Sequence, residues 1–162
     1  NKILISLNKM GLKTQIKNAN DNINDDAEII IINYYGSVLK YYEKFKQIFI
    51  GKSLIKKFKN DGGQNPIDAA RMGCFIYHGP YVSNFKEIYD YLDSENISNN
   101  IEDKNILAEK LISNFNSNFA ENNKKIDKLN KYSKEIFQQV IKEYESIILW
   151  KLINQNFGMK KV

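Results

Sequence analysis

The 162-residue sequence has one cysteine, Cys74, and one histidine, His78. A disulfide framework and a cysteine-built zinc site are therefore excluded, and so is a histidine-rich metal centre. A Ser-His-Asp arrangement would have only His78 to build on. Two prolines and eight glycines exclude collagen-like and proline-rich linker classes. Arginine is nearly missing too. Arg71 is the only one, so the surplus of 24 basic over 19 acidic residues is carried by lysine. Nucleic-acid readers lean on arginine for bidentate contacts, and a diffuse lysine excess favours solubility and weak attraction to anions. The sequence therefore supports no nucleic-acid partner. Long hydrophobic runs are lacking as well: Ile29–Ile32 and Ile147–Trp150 are far short of the ~20 apolar residues of a membrane span. What remains is a chain with 43% hydrophobic and 12% aromatic residues, enough for a packed core and near the size of one domain. It begins Asn1-Lys2-Ile3, without a signal-peptide pattern, and reads as a soluble piece of something longer.

Apolar runs alternate with helical patterns. Ile3, Leu4, Leu7 and Met10 recur at helical spacing and stop at Gly11, and Leu12–Lys17 alternates like a short strand. Asn18–Asp26 is Asn/Asp-rich and reads as a loop. Glu28–Asn33, Gln47–Gly51 and Cys74–Tyr77 hold continuous apolar runs of the kind buried on both faces of a parallel sheet. Helices are expected from Gly36-Ser37 to Lys46, from Asn65-Pro66 to Met72, from Asn84 to Leu92 and from the cap Asp103 to Phe115. Ile97–Ile101 reads as a last short strand. From about Ala120 to Asn156 one helical stripe carries Ile126, Leu129, Tyr132, Ile136, Phe137, Val140 and Ile141. The fold class is α/β: a Rossmann-like parallel sheet with helices on both faces, in which the three buried runs are neighbours. Residues 1–118 are expected to form this domain. Residues 119–162 are expected to form a helical extension that packs on it or on another domain. Such sheets bind ligands beyond the carboxyl ends of their strands, here the loops after Asn33, Gly51 and Tyr77.

The main local motif is Gly62-Gly63-Gln64-Asn65-Pro66-Ile67-Asp68-Ala69-Ala70. Two glycines permit close backbone approach, and a helix start offers N–H groups to an anion such as a phosphate. Asp68, just inside the helix, is placed to accept from ribose hydroxyls. The same residues also describe an ordinary glycine-rich turn capped by Asn65, and from the residues alone both readings stand. Ser37 reads most simply as a helix cap. His78 reads as structural, with no carboxylate placed by the sequence to pair with it, and Cys74 reads as a small buried hydrophobe.

Taken in order, Gly51-Lys52-Ser53-Leu54, then Gly62–Cys74, then His78-Gly79-Pro80 and Ser83-Asn84-Phe85-Lys86-Glu87-Ile88 resemble the C-terminal half of 3-deoxy-D-manno-octulosonic acid (Kdo) transferases. The Gly36 region and Lys2–Lys17 are similar to the segments that precede these motifs in that family. The resemblance implies the C-terminal domain of a GT-B glycosyltransferase, which moves Kdo from CMP-Kdo to a lipid A precursor in lipopolysaccharide biosynthesis at the cytoplasmic face of the bacterial inner membrane. It implies donor contacts from Gly36, Ser37, Gly62, Gly63, Gln64, Asn65, Asp68 and Asn84, with no cofactor and no metal. The catalytic base and the acceptor site belong to the family's N-terminal domain, so no catalytic residue is expected here and the isolated chain is expected to be inactive. A separate N-terminal half is the partner this implies. The other reading is a non-catalytic remnant or partner-dependent donor-binding module. Asp68 and Ser37 both stand where the family carries Glu, and Lys52 stands where it carries Gly.

Overall fold

The computed structural model describes residues 2–115 and 122–156. The chain divides into two compact units, Asn1–Tyr41 and Tyr42–Val162. The boundary expected at residue 118 lies outside the described residues.

In the first unit, α1 (Lys2–Lys9) leads through Gly11, at φ +78°, into β1 (Thr14–Lys17). Gly11 takes the left-handed turn that a side chain resists, so the helix ends there. An Asn/Asp-rich loop then returns the chain to β2 (Ile29–Ile32), which pairs parallel to β1 with Thr14 opposite Ile29 and Lys17 opposite Ile32. The loop holds itself together with side chains: Gln15 Nε2 donates to the Asn22 carbonyl at 2.7 Å, and Asn24 N–H donates back to Gln15 Oε1 at 2.9 Å. The helix α2 (Val38–Lys44) begins in this unit and ends in the next.

In the second unit, β3 (Gln47–Phe49), β4 (Phe75–His78) and β5 (Ser98–Asn100) form a parallel sheet with β4 in the middle. The connections between them are α3 (Ile67–Arg71) and α4 (Lys86–Ser94), as a parallel sheet requires. Alternation along β4 sends its side chains to both faces. Tyr77 reaches α5 (Lys104–Ser113), where its hydroxyl donates to the Lys110 carbonyl at 3.4 Å and accepts from Asn114 Nδ2 at 2.8 Å. His78 turns the other way, against the Tyr89 ring of α4 with centroids 4.3 Å apart. Helices thus cover both faces, the Rossmann-like arrangement expected. The core gathers Ile50, Ala69, Ala70, Cys74, Ile76, Val82, Tyr89, Leu92 and Ile97. Asp103 caps α5 as expected, accepting from the N–H groups of Asn105 and Ile106 at 2.6 and 3.0 Å.

Two expectations are corrected. Ile29–Ile32 pairs with β1, and among the described residues no ladder joins it to β3, so the three apolar runs are not consecutive neighbours in one sheet. That run is half-buried along its length rather than buried on both faces, and Phe49 of β3 is 37% exposed. The stripe of α6 (Asn122–Asn156) docks only at its first turns. Leu129 is fully buried in the core of the second unit, whereas Ile136, Phe137, Val140 and Ile141 are exposed. Helical periodicity finds an apolar face but does not say what meets it.

Candidate functional site

In the parallel sheet of the second unit the carboxyl ends of β3, β4 and β5 lie on one rim, and the loops after β3 and β4 meet there. The loop after β3 carries Ser53, whose side chain is wholly buried. Its Oγ donates to the Ile50 carbonyl at 2.5 Å and accepts from Gly79 N–H at 2.9 Å, so one hydroxyl ties the end of β3 to the loop after β4. Tyr81 N–H adds a bond to the Ser53 carbonyl at 2.8 Å. The approach is as close as backbones allow: a Cβ on Gly79 would sit 2.3 Å from the Ser53 carbonyl oxygen. Gly62 meets the loop after β4 just as closely, with a hypothetical Cβ 2.1 Å from the Tyr81 carbonyl oxygen. Any side chain at either position would push the loops apart. Gly63 adds a positive φ of +84°. Lys52 is itself left-handed, at φ 59°, and costs about 1–2 kcal/mol where glycine would cost nothing.

The motif leads directly into α3. Asn65 Oδ1 accepts from Ile67 N–H at 3.0 Å, which is the cap expected of it, while Pro66 is buried at the helix start. Gln64 is held through its backbone, its carbonyl accepting from the Tyr89 hydroxyl at 2.8 Å. Burial pushes that hydroxyl far above the ordinary tyrosine range, so it stays a donor. The side chains of Gln64, Asn65, Asp68 and Asn84 are exposed, so all four are available to a ligand. Gly62 and Gly63 are buried and offer backbone only. These six residues all belong to the second unit. Gly36, at φ +85°, and Ser37 belong to the first unit. Ser37 is buried and hydrogen-bonds the Tyr34 hydroxyl, whose proton is loosened mainly by its bond with Tyr41 at 3.2 Å and then by Ser37.

The sequence offered no partner for His78; the structure supplies Asp93. His78 is 2% exposed, its Nε2 lies 3.1 and 3.2 Å from the two Asp93 carboxylate oxygens, and its Nδ1 lies 2.9 Å from the Gly79 carbonyl. Each ring nitrogen thus has an oxygen neighbour within hydrogen-bond distance, and the buried ring is fixed from both sides. Ser98 Oγ donates to the same carboxylate from β5. Burial works against ionisation of Asp93, but the hydrogen bonds from His78 and Ser98 outweigh it and hold the carboxyl below the ordinary aspartate value. The signal was present in the periodicity: Asp93 lies one turn beyond buried Tyr89 on α4, hence on the inward side. Beside this pair opens a cleft of about 260 Å³, lined by Lys59, Ser83, Lys86, Asp90 and Asn100 among others. Lys86 and Asp90 pair across its edge at 2.6 Å. None of the eight residues expected to touch a donor lines this cleft. Among the described residues no group of three metal-ligating side chains occurs, and no helix is long and apolar enough to cross a membrane.

Parallel strands, helices on both faces and converging carboxyl-end loops define an α/β domain of the Rossmann-like class. It is similar to a solved structure, the C-terminal CMP-Kdo binding domain of WaaA from Acinetobacter baumannii, with a TM-score of 0.66 at 17% identity. The likeness covers 80% of this chain and 65% of that one, and at this identity it establishes the fold. No family model matches the sequence, and no curated protein matches it.

Proposed function

We propose that the chain is the donor-binding part of a Kdo-transferase-like glycosyltransferase, holding CMP-Kdo while a separate acceptor domain supplies the catalytic base and a lipid A precursor. The observation that carries this is the join of two independent likenesses. The fold is that of a CMP-Kdo binding domain, and the motifs resembling the Kdo-transferase family fall on the rim where such a fold binds ligands. The donor phosphate lies against the Gly63–Asp68 segment, and exposed Asp68 accepts from the ribose hydroxyls. Gln64, Asn65 and Asn84 add polar contacts. Gly36 and Ser37 enter this reading on the family resemblance alone. Transfer needs both reactants held in a closed cleft, so the chain by itself binds and does not catalyse. Acting on a lipid acceptor, the assembled enzyme would work at the cytoplasmic face of the inner membrane.

Titration with CMP, followed by amide shifts in NMR, tests the reading. Shifts clustered at Gly63–Asp68, weakened by Asp68→Ala, are expected. No shifts at millimolar CMP would leave the second reading, a remnant that keeps the fold without the ligand.

A further inference from the structure

Among 24 basic residues Arg71 is the one arginine, and it lies in the last turn of α3. A positive charge there suits the end of a helix, but that role needs no guanidinium: α1, α2 and α5 carry Lys9, Lys44 and Lys110 in their last turns. Arg71 is exposed, and among the described residues no carboxylate pairs with it. It lines a cavity of about 490 Å³ in the second unit, whose other wall is α6. That wall consists of Asn130, Ser133, Lys134, Phe137 and Gln138, which recur at the spacing of one helix face. No carboxylate lines the cavity. Its walls are also held in place. Leu129 is fully buried beside it, the Tyr91 and Tyr132 rings stack with centroids 4.0 Å apart, and Lys128 pairs with Glu95 at 2.6 Å. These contacts fix the first turns of α6 against the core, so the cavity exists before any ligand arrives.

We propose that this cavity binds a phosphate monoester whose organic part is an apolar ring or chain. The guanidinium presents two parallel N–H donors to two phosphate oxygens, Lys134 adds a second positive charge, and the amides of Asn130 and Gln138 donate to the oxygens that remain. A carboxylate would answer the fork of Arg71 and leave Lys134 unmatched. A phosphate monoester carries about −1.5 to −2 charges near pH 7 and matches both. The cavity is much larger than a phosphate group and of the size that takes small organic ligands, so the organic part belongs inside it. Phe137, 65% exposed, is the apolar wall against which that part lies. Neither Gly63 nor Asp68 lines the cavity, so the inference does not rest on the donor reading.

The probes are phenyl phosphate and inorganic phosphate, titrated into the full 162-residue chain and followed by NMR shifts. Phenyl phosphate should shift residues 130–138 of α6 together with the Arg71 side chain, and should bind at least about tenfold more tightly than inorganic phosphate. Arg71→Lys keeps the charge and removes the fork. It should weaken phenyl phosphate by at least about tenfold while the melting of the chain stays unchanged. Phe137→Ala should weaken phenyl phosphate and leave inorganic phosphate as it was. The proposal is overturned if millimolar phenyl phosphate leaves α6 unshifted, if Arg71→Lys binds it as well as the parent chain, or if the shifts gather at Gly63–Asp68 alone. CMP is itself a phosphate monoester, and the two sites are read from separate residues. CMP shifts at 130–138 with none at Gly63–Asp68 would support the cavity and refute the donor reading; CMP shifts at Gly63–Asp68 with no response of α6 to phenyl phosphate would do the reverse. Sedimentation with phosphatidylcholine vesicles containing phosphatidic acid separates two sources of the phosphate. Co-sedimentation that Arg71→Lys abolishes assigns it to a lipid headgroup, and phenyl phosphate binding without co-sedimentation assigns it to a free small molecule.

Discussion

Replacing Ser53 with alanine should cost far more than the loss of one hydroxyl on a loop suggests. The hydroxyl is wholly buried and bonded on both sides, to the Ile50 carbonyl at 2.5 Å and from the Gly79 N–H at 2.9 Å. Each neutral hydrogen bond contributes about 0.5–1.5 kcal/mol net, and a buried donor left without an acceptor costs about 1–3 kcal/mol. The Gly79 N–H becomes that orphan, because the close approach of Gly79 to Ser53 and Leu54 leaves water no room to replace the hydroxyl. Ser53→Ala should therefore destabilise the second unit by roughly 2–4 kcal/mol, a large part of the stability of a domain this size. Urea unfolding followed by far-UV circular dichroism measures it, with the slope of the transition unchanged and the midpoint lowered. Ser53→Thr keeps the hydroxyl and is the control for the bonds against the added methyl group. A loss below about 0.5 kcal/mol would mean that the N–H finds another partner and that the two loops are not held by this side chain.

Leu129→Ala should detach α6 from α3, because Leu129 is the fully buried residue by which the long helix enters the core. A cost of about 2–5 kcal/mol is expected in the same urea assay, and an unchanged midpoint would show that the helix contributes nothing to the unit. Asp93 sets an acid limit. Its carboxyl is held below the ordinary value in the folded chain, so its contribution is complete above the unfolded pKa and is lost as pH falls through the folded one. Asp93→Asn should therefore lower stability at neutral pH and flatten the decline below about pH 4. Equal declines in the two proteins would refute the pair.

Much of the second unit was legible because its local rules agree. The apolar run of β4, the Asp103 cap and the Gly-Gly-x-x-Pro helix start each point to the element that forms. The pairing partner of Ile29–Ile32 was not legible. An apolar run states that a strand will be covered but carries no label for the neighbour, and β1 takes that place despite its polar composition. The rim showed the same division. The close approach at Gly62 and the Asn65 cap could be read from spacing, whereas Ser53 and Asp93 act through contacts 26 and 15 residues away in the chain. Such contacts leave no periodic trace, beyond the inward register of Asp93 on its helix.

The long helix has a practical consequence for spectroscopy. The sequence has a single tryptophan, Trp150, 61% exposed and 21 residues beyond Leu129 along α6, hence about 30 Å from the turn that enters the core. Its indole is wet before unfolding begins, so its emission would change little as the sheet comes apart. The buried chromophores are the tyrosines: Tyr77 and Tyr89 lie at the centre of the second unit, one on each side of β4. A fluorescence melt of this protein would report the outer reach of one helix, and tyrosine signals in the near ultraviolet would report the fold.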